Sequence, residues 1–149
     1  MTDRIRVLLA DDEHLIRGAL ASLLALNEDL TVVAEAATGP EAISMARAHR
    51  PDVAVLDLRM PGNDGIEVTQ TLHAELDGCR TVILTGYGEP GQLNRALRAG
   101  VRGFLPKTVT AHDLANVIRA VHAGRRYIAS DVTADAIAYG DRPPAPHPT

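Results

Sequence analysis

The chain has 149 residues, 46% hydrophobic and 23% charged, with a formal net charge of -4, which suits one domain with a real core plus a tail. The acidic balance excludes a general electrostatic attraction to nucleic acid or to an anionic membrane, so no direct DNA binding by this chain is expected. The single cysteine, Cys79, excludes an intrachain disulfide, and no apolar run approaches transmembrane length; a reducing, cytoplasmic setting follows as the expectation.

Ile5 to Ala10 is a short apolar run that stops at Asp11 and Asp12, the pattern of a buried parallel strand meeting a polar edge. The spacing of Leu15, Ile16, Ala19, Leu20, Leu23 and Leu24 predicts a helix from His14 to Leu26. Its apolar stripe is wide, with Leu15, Ala19 and Leu26 beside an Ile16, Leu20, Leu23 face, which reflects close packing or a self-association surface. Leu30 to Ala36 reads as a second strand, and Thr38-Gly39-Pro40-Glu41 as the start of a helix that Pro51 ends. Val53 to Leu56 is a third strand delivering Asp57 at its carboxyl end, followed by a loop dense in turn formers, Met60 to Gly65. Ile66 to Leu76 is a helix, Thr81 to Leu84 a strand ending at Thr85-Gly86, and Leu93 to Leu97 a modest helix stopping at Gly100. Gly103 to Leu105 is a fifth strand ending at Pro106-Lys107, and Leu114, Val117, Ile118 and Val121 line a fifth helix that Gly124 closes.

Five strand and helix repeats in alternation predict an α/β fold: a doubly wound, five-stranded parallel sheet of flavodoxin-like order 2-1-3-4-5. This domain is expected to occupy residues 1–126. Residues 127–149 read as a short possible helix, Ser130 to Ala138, and a linker or tail in which Asp141 to Thr149 holds four of the nine prolines.

In such a sheet the ligand site lies outside the carboxyl ends of the strands. Asp11 and Asp12, Asp57, Thr85 and Lys107 all stand there. Three close carboxylates call for a cation, and Mg2+ suits an all-oxygen set. Phosphoryl transfer asks mainly for positioning and charge neutralisation, so Asp57 becomes the candidate nucleophile, with Lys107 and Thr85 contacting phosphoryl oxygens and Gly86 offering its backbone N–H.

The stretches Leu9-Ala10-Asp11-Asp12-Glu13, Leu56-Asp57-Leu58-Arg59-Met60-Pro61-Gly62, Leu84-Thr85-Gly86 and Gly103-Phe104-Leu105-Pro106-Lys107 closely resemble response-regulator receiver domains of two-component systems. Val121-His122-Ala123-Gly124-Arg125-Arg126-Tyr127 looks like the NarL/LuxR-type branch. The resemblance implies a phosphorylation-switched regulatory module rather than an enzyme, loaded on Asp57 by a sensor histidine kinase. It makes Asp12, Asp57 and the backbone carbonyl of Arg59 ligands of Mg2+, with Asp11 acting through water. It also makes Phe104 a switch aromatic coupled to Thr85, and the side chains of Arg59 and Tyr87 determinants of phosphate lifetime. Members of this branch usually control transcription through a C-terminal DNA-binding domain, absent from this chain, and often dimerise when phosphorylated. The alternatives are a stand-alone receiver acting through protein contacts and a receiver-like module that works without phosphate. An aspartyl phosphatase of the haloacid-dehalogenase type would need a second acid two residues after its nucleophile, where Arg59 stands.

Overall fold

In the computed structural model, which describes residues 3–86 and 91–129, strands and helices alternate. They are β1 (Ile5–Ala10), α1 (His14–Leu24), β2 (Leu30–Ala36), α2 (Gly39–His49), β3 (Val53–Asp57), α3 (Gly65–Glu75), β4 (Arg80–Thr85), α4 (Gln92–Ala99), β5 (Gly103–Pro106), α5 (Ala111–His122) and β6 (Tyr127–Ile128). The pairs are parallel throughout, in the order β2-β1-β3-β4-β5-β6. This is the expected 2-1-3-4-5 sheet with one strand more. The Tyr127 N–H donates to the Arg102 carbonyl at 2.8 Å and the Ala129 N–H to that of Phe104 at 3.1 Å. Two residues are too few for a period-two pattern to announce such a strand. The possible helix at residues 130–138, the proline-rich stretch and Tyr87 lie outside the described residues.

Alternate residues of each central strand feed opposite layers, as the pleat requires. Leu8, Ala10, Ala54, Leu56, Ile83 and Phe104 pack with the inner faces of α2, α3 and α4. Val7, Leu9, Val53, Val55, Val82, Leu84 and Leu105 pack on the other side with α1 and α5. Burial on both faces explains why these strands read as continuous apolar runs rather than alternating ones. Cys79 is buried, and its thiol is pushed up to about 11 by desolvation and by the charge of Asp52, which leaves it protonated and unreactive.

Helix α1 buries only part of its wide apolar stripe. Ala21 and Leu24 are its buried residues, whereas Ile16 and Leu23 are 47% and 50% exposed. Arg17 lies toward the sheet, its side chain only 11% exposed. Its guanidinium donates to the Asp11 carbonyl at 2.7 Å and pairs with Glu35 at 3.1 Å. A charged residue thus occupies the first turn of the inner face, with its alkyl stem covering the sheet. A periodicity argument assigns that position to solvent.

The connections fix the carboxyl edge. Thr38 caps α2 by accepting from the Glu41 N–H at 3.1 Å. Asp64 and Glu67 form a reciprocal capping box at the start of α3, each bond 2.8 Å. At Gly39 an added Cβ would collide with the backbone of Asn63, so the loop after β3 lies directly on the start of α2. Gly65 is also closely packed: its N–H donates to the Leu58 carbonyl at 2.9 Å, and an added Cβ would stand 2.7 Å from the Asp57 carbonyl oxygen and 2.8 Å from the Ile83 side chain. Gly65→Ala is therefore expected to lower the unfolding free energy by about 1–3 kcal/mol through overpacking at the end of β3, measured by urea denaturation; an unchanged midpoint would show that the loop yields freely.

Candidate functional site

The register of the parallel strands assembles the site. Ala10 lies opposite Leu56, so Asp11 comes beside Asp57. Asp57 lies opposite Leu84, and Thr85 opposite Pro106. Beyond the last pair the Lys107 N–H donates to the Thr85 carbonyl at 2.8 Å, which turns the lysine side chain back over the ends of β1 and β3. The order of the sheet thus converts four distant stretches of sequence into one cluster.

Within it, Asp11, Asp12 and Asp57 each offer a carboxylate oxygen, and these atoms lie within 4.8 Å of one another. Asp11 and Asp57 are buried and Asp12 is exposed. Lys107 Nζ stands 3.1 Å from Asp57 Oδ2, 3.2 Å from Asp11 Oδ2 and 2.7 Å from Glu13 Oε1. The Arg59 N–H donates to Asp57 Oδ1 at 3.3 Å, and the Arg59 residue is exposed. An all-oxygen set of this size, open on the Asp12 side, fits a small hard cation that retains water.

Burial dominates the electrostatics of Asp57. Desolvation pushes its carboxyl up to about 6; the hydrogen bond and charge of Lys107 oppose that shift, and the charge of Asp11 adds to it. For Lys107, burial works against the charge, but the hydrogen bonds to Glu13 and Asp57 and the charges of Asp57 and Asp11 hold it above the usual lysine range. The ammonium therefore stays protonated through neutral pH.

Thr85 ends β4, where the sequence places it, and Phe104 lies within β5. Thr85 is buried, and its hydroxyl donates to the Gly86 carbonyl at 3.2 Å rather than to a carboxylate. Gly86 has room: an added Cβ would meet nothing within 4 Å. Phe104 is 1% exposed and belongs to the layer under α2, α3 and α4, so in this state the ring already fills an inward position. Two residues escape the sequence reading. Glu13 is a partner of Lys107, and Arg17 ties the Asp11 carbonyl to Glu35. Glu13 is visible in sequence only as a third acid after the aspartate pair; Arg17 carries no signal beyond its helical position.

Because the ordinary carboxyl value of 3.8 rises to about 6 on folding, ionising Asp57 opposes folding by up to about 3 kcal/mol. The folded state binds the extra proton between these values, so this penalty is absent below about pH 4 and complete above about pH 6. Without divalent cations, Asp57→Asn is expected to stabilise the protein at pH 7 by roughly 1–3 kcal/mol, with the gain vanishing as the pH falls to about 4. Paired denaturation curves across that range check it, and a variant less stable than the parent at pH 7 would contradict it.

Comparison with known proteins agrees with this geometry. A family model described as the response regulator receiver domain matches residues 7–119. The transcriptional regulatory protein DesR of Bacillus subtilis is 39% identical over 131 residues, which cover 88% of this chain and 65% of DesR. The response regulator protein VraR of Staphylococcus aureus is 35% identical over 128 residues, covering 86% of this chain and 61% of VraR. A solved two-component response regulator of the LuxR family from Aurantimonas sp. SI85-9A1 superposes with a TM-score of 0.84 at 30% identity, over 94% of this chain and 100% of that one. The chain thus spans less than two thirds of the length of DesR and VraR. With the fold, the order of the strands and the clustered strand ends in agreement, the chain belongs to the response regulator receiver domain family.

Proposed function

We propose that this chain is a phosphorylation-switched signal receiver in which Asp57 takes a phosphoryl group from a sensor histidine kinase. The observation that carries the reading is the bridge of Lys107 between Asp57 and Asp11, with Asp12 in the same carboxylate cluster. In the transfer an Asp57 carboxylate oxygen attacks phosphorus, the bond from phosphorus to the donor's imidazole nitrogen breaks, and that nitrogen keeps the electron pair. The product is an acyl phosphate on Asp57. Lys107 offsets charge on the phosphoryl oxygens and orients the attacking carboxylate. Asp11, Asp12 and Asp57, with the Arg59 carbonyl, would hold Mg2+. Bound there, the ion supplies neutralisation of the negative charge that otherwise repels the donor.

Thr85 must release the Gly86 carbonyl to reach a phosphoryl oxygen, and that rotation is the first movement a signal would produce. Phe104, a residue of β5 that faces the helix layer, couples it to the layer containing α4. The exposed Arg59, and Tyr87 two positions after Thr85 in the sequence, set how easily water reaches the acyl phosphate. The output proposed is control of transcription through a DNA-binding domain in the whole protein, by analogy with relatives named as transcriptional regulators. No helix among the described residues is long and apolar enough to cross a membrane, and a cytoplasmic location accords with a kinase-fed receiver.

Self-association through α1 is the proposed response to phosphorylation. Leu15 and Leu26 are 85% and 78% exposed, beside the half-exposed Ile16 and Leu23. Such a strip of side chains, running along α1 into the turn that follows it, suits a two-fold pairing of like surfaces. The bidentate bond of Arg119 to Asp29, at 2.7 and 2.9 Å, joins α5 to the loop after α1 and holds that surface in place.

Incubation with acetyl phosphate and Mg2+ should add one phosphoryl mass to the wild type and none to Asp57→Asn, as read by intact-protein mass spectrometry; equal addition to both would overturn the assignment. In sedimentation velocity, Mg2+ with trifluoroberyllate should shift the wild type toward dimer. The same treatment should leave Leu15→Lys/Leu26→Lys monomeric, and an equal shift in both proteins would move the interface away from α1.

A further inference from the structure

The Lys107 ammonium lies within ion-pair distance of three carboxylates and donates hydrogen bonds to two of them, Glu13 and Asp57. The shortest of these pairs, at 2.7 Å, is with Glu13, a residue the reaction as described does not use. Asp57 and Asp11 cannot leave the ammonium easily. Both sit on the ends of interior strands, with side chains 5% and 3% exposed, and Asp57 is itself the acceptor. Glu13 differs in each respect. Its side chain is 53% exposed, and although it occupies the N-cap of α1 it makes no capping bond to the helix. Its backbone is instead pinned, with the N–H donating to Asp11 Oδ1 at 2.8 Å. That bond aims the long side chain across the carboxyl edge toward the lysine, 94 residues away in sequence.

A phosphoryl group arriving at Asp57 brings oxygens that must compete for Lys107 with the carboxylates already around it. The carboxylate able to yield is Glu13, which also places a negative charge next to the incoming anion. We propose that Glu13 is a positioning residue that occupies Lys107 in the resting receiver and must withdraw for the lysine to engage phosphate, so that the Glu13 to Lys107 ion pair restrains loading of Asp57. The inference rests on Asp57 being the acceptor. It adds a reason for a carboxylate at position 13, where a capping role would favour Ser, Thr, Asp or Asn. The pair is half-exposed and hence weak, so the restraint is modest and reversible.

The test compares wild type, Glu13→Gln and Glu13→Asp in three measurements: the rate of loading by acetyl phosphate with Mg2+, the dissociation constant for trifluoroberyllate with Mg2+, and the melting temperature without metal. During loading, phosphorus passes from the acetate oxygen to the Asp57 oxygen, and acetate leaves with the electron pair. Glu13→Gln removes the charge, whereas Glu13→Asp keeps it on a side chain one methylene shorter, too short to reach Lys107 from the same backbone position. Both variants should load about 3–10-fold faster and bind trifluoroberyllate correspondingly tighter, with little change in melting, since an exposed pair contributes little to stability. Loading of Glu13→Gln at or below the wild-type rate would overturn the proposal. So would a lowered melting temperature with unchanged loading, which marks a structural contact, or wild-type behaviour in Glu13→Asp, which assigns the effect to charge alone. A wild type that does not load defeats the acceptor reading instead, a result distinct from these.

Discussion

Two carboxylates, Asp11 and Asp57, are carried out of water at the ends of interior strands, and one ammonium, that of Lys107, makes the arrangement tolerable. Burying a single ionised carboxylate costs several kcal/mol unless a counter-charge and hydrogen bonds offset it. Here the counter-charge comes from a strand end 50 residues further along the chain than Asp57. The parallel order of the sheet is what brings it within reach, because only when β5 runs beside β4 and β4 beside β3 does Lys107 fold back over Asp57. The site is therefore a consequence of topology before it is a consequence of any local motif.

The same arrangement creates the tension on which a switch can operate. Asp57 remains uncomfortable, with a carboxyl still raised to about 6 despite its lysine. A divalent cation or a phosphoryl group with its own partners changes the charge of the cluster and hence the equilibrium among its neighbours. Those neighbours are poised differently. Thr85 is bonded to its own adjacent carbonyl and can exchange partners at small cost, whereas Phe104 is already packed in a filled layer. Any rearrangement on the α4 side must then involve repacking rather than the simple filling of a hole. Arg95 reinforces that layer by reaching from α4 to the Asp64 cap of α3 at 2.9 Å.

Much of this was legible from the residues. Apolar runs ending in Asp11, Asp57, Thr85 and Lys107 specify both the alternating fold and the edge on which its chemistry gathers, because strand ends in a doubly wound sheet have a fixed address. What escaped has physical causes. The two-residue β6 is shorter than any periodic signal. The inward placement of Arg17 depends on its long stem, which lets a charged residue occupy an inner position that hydrophobicity counts assign to solvent. Glu13 belongs to a recognisable acidic run, but its partner lies 94 residues away, and no spacing rule connects a helix cap to the end of a distant strand. Hydroxyl and ring orientations, as at Thr85 and Phe104, depend on packing details that a linear pattern does not encode.

The proposed acceptor is one atom group, the carboxylate of Asp57, and its covalent chemistry can be read directly. Borohydride reduces an acyl phosphate on an aspartate to homoserine and leaves free carboxylates untouched. After exposure to a phosphohistidine-bearing kinase domain or to a small phosphodonor with Mg2+, reduction and peptide mapping should find homoserine at position 57 and nowhere else. Aspartate at 57 in fully phosphorylated protein, or homoserine at Asp11 or Asp12, would contradict the account.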